Sequence, residues 1–368
     1  MVLVRVLFSS SSGAGHFGPM VPFVQALQGR GDDVLVAVPL ARQEQAGALG
    51  AELLLLPDPP EEDVAEVWSR VQAGRPASVD QEIFAGLNTT AYLPVLERAC
   101  REWSPDLVMH EAAEFAAAIV ANRLGIRHAQ IAIGLAAVEA GALRSVSAIL
   151  EKHAAGVSEA IRVSPYFTRL PASLDPSPYP DTRRVRADPR QGRGEAADPE
   201  SLVFVSFGTV VGALPMAEEI YRETLAALHE LPVRAVLTTG GTGAGLMLGV
   251  IPGNVTVLDW VDQDAMIASA TVVVCHGGAG TTFGALERGV PVVVVPFMAD
   301  QPVNARIVTA AGAGLTVAPG ADATDFGPFR ERLRKAIETV LGEPSFRRNA
   351  GVFADDTAAM PAISSIEM

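Results

Sequence analysis

His276 follows a short apolar run, Val272 to Cys275, and is followed at once by Gly277-Gly278-Ala279-Gly280 and then Thr281-Thr282. Glycines let a backbone approach a ligand closely, and the unpaired N–H groups of a helix starting at such a turn favour a phosphate. An imidazole at the same place adds a donor or a positive charge. A second apolar run, Val290 to Val295, ends at Pro296 and leads to Asp300-Gln301, side chains suited to sugar hydroxyls. Parallel strands present their C-terminal loops on one edge of a sheet, so these groups emerge together. The chemistry that fits is recognition of a ligand with a diphosphate at one end and a hydroxyl-rich group at the other.

A second histidine, His16, lies in Gly13-Ala14-Gly15-His16-Phe17-Gly18, after the apolar strand Leu3 to Phe8 and before a helical pattern from Met20 to Arg30. The hexapeptide matches G-x-G-x-x-G, the dinucleotide fingerprint, but that reading also needs an acidic residue ending the second strand. Val34 to Val38 runs instead into Pro39-Leu40-Ala41, which weakens the nicotinamide-dinucleotide reading. An imidazole titrates near neutrality and can take a proton from a hydroxyl as it attacks. The strand Leu107 to Met109 ends at His110-Glu111. A carboxylate at this edge can hold an imidazole and steady its protonated form, as the third member of a triad does. Glu114 and Asp106 are alternative partners, and Glu111 can instead be the N-terminal charge of the next helix.

The HGGAGTT run and the Asp300-Gln301 pair resemble the donor-binding signature of nucleotide-sugar glycosyltransferases of the GT-B fold. Nearly the whole chain is similar to the inverting, GT1-type bacterial enzymes that glycosylate macrolides, enediynes and related natural products. The resemblance implies an α/β fold of two Rossmann-like domains facing each other across a cleft. It implies His16 as general base and Glu111 as its catalytic partner; the family commonly has aspartate there, so Glu111 departs by one methylene. It implies donor contacts from Gly15, Ser206, Gly208, Thr209, Trp260, Val261, His276, Gly278, Gly280, Thr281, Asp300 and Gln301, with Trp260 stacking on the nucleotide base. Trp68, Phe84 and Asn88 fall where the acceptor binds. No cofactor is implied: the donor substrate is a sugar on thymidine diphosphate (TDP), and the acceptor a hydrophobic natural-product aglycone. The alternatives are a sugar-nucleotide epimerase of the same fold, a non-catalytic nucleotide-sugar-binding auxiliary protein, and a dehydrogenase.

Asp262-Gln263-Asp264 spells D-x-D, the metal motif of the other large glycosyltransferase fold. A helix follows, however, and either aspartate can cap it. Nothing else has metal-ligand spacing, so no metal is expected.

The elements that must position these groups read as two α/β units. Residues 1–170 form the acceptor-binding unit, with a strand from Leu53 to Leu56, helices between 64 and 100, a strand from His128 to Ile133, and alanine-rich helix over 135–170. Residues 171–200, dense in proline, arginine and aspartate, read as an interdomain linker with its tip near Asp188 to Asp198. Arg183, Arg184 and Arg186 alternate there with aspartates, which favours a solvated loop over a nucleic-acid contact. Residues 201–345 form the donor-binding unit, with a glycine-rich loop at Gly240-Gly241-Thr242-Gly243. Residues 346–368 resemble a tail that crosses back to the first unit.

Composition narrows the partners. The 368 residues are 49% hydrophobic and carry a net charge of −14, which argues against nucleic acid or an anionic membrane surface. Cys100 and Cys275 lie far apart inside apolar patterns and are expected as buried free thiols. The start, MVLVRVLFSSSSGAGH, is too short and too soon glycine-rich for a signal peptide, and no apolar run reaches membrane-spanning length. A cytoplasmic protein, monomer or homodimer, is expected.

Overall fold

The computed structural model describes residues 3–187, 201–209, 211–214, 216–241, 247–319 and 327–366. The chain divides into two compact units, Met1–Pro189 with Met360–Met368, and Arg190–Ala359.

The first unit is built on seven strands: β1 Arg5–Ser9, β2 Asp33–Pro39, β3 Glu52–Leu56, β4 Leu107–Glu111, β5 Arg127–Ile131, β6 Tyr166–Thr168 and β7 Thr182–Arg184. They lie in the order β3-β2-β1-β4-β5-β6-β7, every pair parallel. Val6, Leu7 and Phe8 are all fully buried because helices cover both faces. Val6 and Phe8 join Phe23, Val24 and Leu27 of helix Val21–Arg30 on one face. Leu7 joins Leu96 and Ile119 of helices Thr89–Trp103 and Ala116–Leu124 on the other. Alternate strand residues thus feed different cores, and each side chain of this size contributes roughly 1.5–3 kcal/mol on burial. The chain reverses its direction of travel across the sheet between β1 and β4. At such a switch point the loops leaving the two strands diverge and open a crevice at their C-terminal ends.

The second unit repeats the device with six strands: β8 Leu202–Ser206, β9 Arg234–Thr238, β10 Val255–Leu258, β11 Val272–Cys275, β12 Val292–Val294 and β13 Gly314–Thr316. Their order is β10-β9-β8-β11-β12-β13, again all parallel, so the switch point falls between β8 and β11.

Several boundaries differ from those read in the sequence. Residues 171–187, expected in a linker, belong to the first unit, where β7 extends its sheet; residues 188–200 lie outside the described residues. Arg183 and Arg184 are strand residues rather than loop: the Arg184 guanidinium donates to the carbonyls of Leu170 (2.5 Å) and Asp175 (2.7 Å). Tyr166–Thr168, expected in helix, is a strand, with Tyr166 stacked on Tyr179 at 4.1 Å between ring centroids. The expected tail is split. Helix Pro344–Ala358 belongs to the second unit, and 360–366 to the first, where Ile363 is buried and Arg186 N–H donates to Pro361 O at 3.0 Å. Cys100 and Cys275 are buried and free, as expected. Among the described residues no helix is long and apolar enough to cross a membrane.

Candidate active site

β1 delivers the chain into Ser10, Ser11 and Gly13, and Gly13 starts the one-turn helix Ala14–Phe17 that carries His16. A Cβ on Gly13 would stand 2.5 Å from His16 Cδ2, so the imidazole lies against this glycine. Its Nδ1 is 3.0 Å from Oε1 of Glu111, the last residue of β4. Adjacent strands pair Ser9 with His110, and this register puts Glu111 beside the loop that leaves β1. The extra methylene does not keep the carboxylate from the ring.

Glu111 is fully buried and well supplied with donors. Ser11 donates to Oε1 through its hydroxyl at 2.9 Å and its N–H at 3.3 Å, and Ala113 N–H donates to Oε2 at 2.6 Å. Burial pushes this carboxyl up. The His16 charge, the hydrogen bond from His16 and those from Ala113 and Ser11 outweigh it, and Glu111 sits below the usual carboxylate range. A carboxylate only accepts, so the proton shared with it belongs to His16 Nδ1, and Nε2 carries the lone pair. That tautomer is the one a general base needs.

Of the two alternative partners, Asp106 caps the far end of the sheet, accepting from Arg5 N–H at 2.9 Å. Glu114 turns to the N–H groups of Ala116 (2.9 Å) and Ala117. Burial and the Glu111 charge push Glu114 up to about 8. Glu111 and Glu114, three residues apart, are therefore shifted in opposite directions, the first down and the second up.

Phe84 packs against the imidazole, with ring centroids 5.1 Å apart and a 42° tilt. It comes from helix Val79–Asn88, wound as a π-helix, a rare winding that is frequent at functional sites. Asp80, on the same helix, is raised by burial and pulled partly back by the His16 charge. Asn88 is buried and Trp68 half-buried. Of the three expected acceptor residues, Phe84 packs against His16.

In the second unit, His276 follows β11 and is packed between glycines. A Cβ on Gly208 would lie 2.8 Å from its Cε1, and one on Gly278 would lie 2.3 Å from its Nε2. Gly208 has φ 74°, which a side chain rarely tolerates. His276 Nδ1 is buried without a hydrogen-bond partner of normal geometry. Burial pushes the imidazole below its usual range; the Ser206 backbone and the Asp300 carboxylate pull the other way and do not offset it. Ser206 ends β8, and Thr209 follows Gly208. Gly278 is the N-cap of helix Ala279–Glu287, with no side-chain cap, and Gly280 is exposed in its first turn. The first N–H groups of that helix remain for an anion. The Thr281 hydroxyl is engaged with Gln263 Oε1 at 3.2 Å, so its contribution is its backbone.

The aspartate and glutamine after β12 differ in availability. Gln301 is buried, and its Oε1 accepts from the N–H groups of Phe297 (2.8 Å) and Met298 (3.0 Å). It holds the loop, leaving only its NH₂ for a sugar. Asp300 is half-buried and follows Ala299, whose φ of 54° is a left-handed conformation worth roughly 1–2 kcal/mol of strain. Trp260 is 68% exposed at the end of β10, with Val261 half-buried beside it. Asp262 accepts from Ala265 N–H at 3.2 Å and caps helix Gln263–Ser269, and no cluster of metal-ligating side chains occurs among the described residues. Thr242 and Gly243 lie outside them; Gly240 packs so closely that a Cβ would stand 2.1 Å from Gly208 O.

The sequence reading missed Ser11, Gly13 and Asn304. Ser11 and Gly13 sit in the tract that names His16, yet nothing local says that one holds Glu111 and the other makes room for the ring. Asn304 stands one turn after Asp300, the one signal that was available.

Residues 222–367 match the family of Erythromycin biosynthesis protein CIII-like, C-terminal domain. The chain is 30% identical to elloramycin glycosyltransferase ElmGT of Streptomyces olivaceus, over 99% of this chain and 96% of that protein. It is also 30% identical to L-demethylnoviosyl transferase of Streptomyces niveus, over 97% and 95%. The fold is similar to that of spinosyn rhamnosyltransferase SpnG complexed with thymidine diphosphate, a GT-B structure, with a TM-score of 0.77, 23% identity and 98% of each chain covered.

Proposed function

The chain belongs to the GT1-type glycosyltransferases of bacterial antibiotic biosynthesis, and from that premise we propose that it transfers a deoxysugar from TDP to a hydroxyl of a hydrophobic aglycone, with inversion at the anomeric carbon. His16 Nε2 takes the acceptor proton as the acceptor oxygen bonds to the anomeric carbon. The bond from that carbon to the diphosphate breaks, and TDP leaves with the electron pair. Glu111 stabilises the imidazolium so formed. His276 and the N–H groups at the start of helix Ala279–Glu287 meet the charge of the departing diphosphate. Asp300 and the NH₂ of Gln301 hold sugar hydroxyls, and Trp260 stacks on thymine. TDP is the nucleotide bound by SpnG.

The observation that carries the reading is the 3.0 Å contact between His16 Nδ1 and an ionised, buried Glu111 at the switch point of a parallel sheet. The test is incubation with several TDP-sugars and candidate aglycones, followed by mass spectrometry. A glycosylated aglycone plus free TDP supports transfer. An isomerised TDP-sugar without glycosylated product would assign an epimerase instead.

A further inference from the structure

Asn304 is fully buried on helix Gln301–Ala310 and touches two parts of the second unit at once. Its Nδ2 donates to Gly277 O at 2.8 Å, in the glycine loop that holds His276, and to Asp300 Oδ2 at 2.7 Å. Both partners are pure acceptors here, so the NH₂ is fixed on this side, and Oδ1 is left buried with no partner. An unsatisfied buried oxygen is unfavourable, and it is tolerated where the other half of the amide makes contacts that matter.

The geometry points to Asn304 as the positioning residue that aims Asp300 at the donor sugar, registering its carboxylate against the diphosphate-binding loop. This inference rests on the donor reading above. Left alone, Asp300 sits after a strained Ala299 on a half-buried loop, and its carboxylate has two oxygens with several rotamers open to it. The bond to Asn304 fixes one oxygen and leaves the other, Oδ1, as the acceptor for a sugar hydroxyl. Because the same NH₂ holds Gly277 O, the distance between sugar-binding and diphosphate-binding groups is set by one side chain. The consequence is selective: the bond to Asp300 bears on the sugar half of the donor, whereas the bond to Gly277 O is one that water can replace when the side chain is shortened.

The test compares the affinities of the full chain for TDP and for TDP-glucose, measured by titration calorimetry and free of any need for the aglycone. Asp300→Ala is expected to weaken TDP-glucose about tenfold and leave TDP within about twofold. Asn304→Ala, small enough for water to reach the vacated partners, is expected to reproduce that pattern with Asp300 intact. The double variant is expected to be no worse than Asp300→Ala alone, because Asn304 acts through Asp300. Asn304→Leu is the second probe, and circular dichroism with a thermal melt checks its fold. Equal losses for TDP and TDP-glucose in Asn304→Ala would assign a merely structural role and overturn the inference. So would additive losses in the double variant, or wild-type affinities in both single variants at position 304. Wild-type protein that binds neither ligand overturns the donor reading itself, a result distinct from all of these.

Discussion

His16 and His276 occupy matching places: each follows a strand at the switch point of its own parallel sheet, and each ring lies against glycine. Their electrostatic settings are opposite. His16 has an ionised carboxylate on Nδ1, held by Ser11 and Ala113. His276 has no hydrogen-bonded carboxylate among the described residues, only the Ser206 backbone beside its buried ring, and glycine clearance around Nε2. The first setting stabilises an imidazolium once it forms and fixes the lone pair on Nε2, which suits a proton acceptor. The second disfavours charge until an anion arrives, which suits a donor to a diphosphate. Strand order places each imidazole at the C-terminal edge of its sheet, where ligands bind in such folds; the groups behind it decide whether it suits taking a proton or giving a hydrogen bond.

The largest effect that tests this contrast is expected from His16→Ala. Removing a general base lowers the rate by about 10³-fold, within the usual range for such groups. TDP affinity is expected to stay unchanged. A calorimetric loss of TDP binding in this variant would make both histidines donor ligands and erase the contrast. Glu111→Gln keeps the shape but removes the charge, and transfer is expected to fall about 10²-fold with little change in acceptor KM. The same variant has a stability signature. The Glu111 carboxyl is depressed from 4.5, so its contribution is present above about pH 4.5 and lost as pH falls through its lower folded value. Wild-type protein should therefore lose thermal stability on acidification below pH 4.5 more steeply than Glu111→Gln; parallel melting curves would remove the ion pair from the account.

The strands that carry both imidazoles were legible because burial on two faces leaves continuous apolar runs, as in Val6 to Phe8 and Val272 to Cys275. His16 and Glu111 could be matched because both end such runs and parallel strands share an edge. β6 and β7 were not legible. Three residues are too few to show a period of two, and Arg183-Arg184 reads as solvated until Arg184 is seen donating to two carbonyls. The role of Gly13 depends on where a ring three residues later packs. Gln301 shows the limit of motif reading: the residue type was right for a sugar, yet its oxygen is taken by Phe297 and Met298. Asn304 bonds a residue one turn before it and a carbonyl 27 residues away, and only the first of these has a sequence signal.

His276→Gln sharpens the other side of the contrast. Glutamine can still donate a hydrogen bond but cannot titrate. Burial keeps the wild-type imidazole below its usual range, so it is neutral in the free protein at pH 7. A diphosphate beside it favours the charged form, and binding then takes up a proton. TDP-glucose, whose diphosphate has no ionisation of its own near neutrality, is therefore expected to bind up to about tenfold more tightly as pH falls from 8 to 5.5, one unit of pKa shift being tenfold. In His276→Gln this slope is expected to vanish, with affinity near the wild-type value at pH 8. An unchanged slope would mean that His276 stays neutral with the donor bound.

The smallest effect is expected at Trp260. Its ring is 68% exposed, so Trp260→Ala removes little packing and should leave the melting temperature nearly unchanged. On the proposed reading its value lies in a flat apolar face with few side-chain torsions, on which a base can stack with little entropy loss. Losing that face should weaken TDP about fivefold, equivalent to about 1 kcal/mol, while Trp260→Phe recovers most of the affinity. On the proposed reading the ring meets the base and not the diphosphate, so the loss should be the same at pH 8 and pH 5.5, unlike that of His276→Gln. A pH-dependent loss in Trp260→Ala would place the indole near the phosphates and shift anion recognition away from the glycine-packed imidazole.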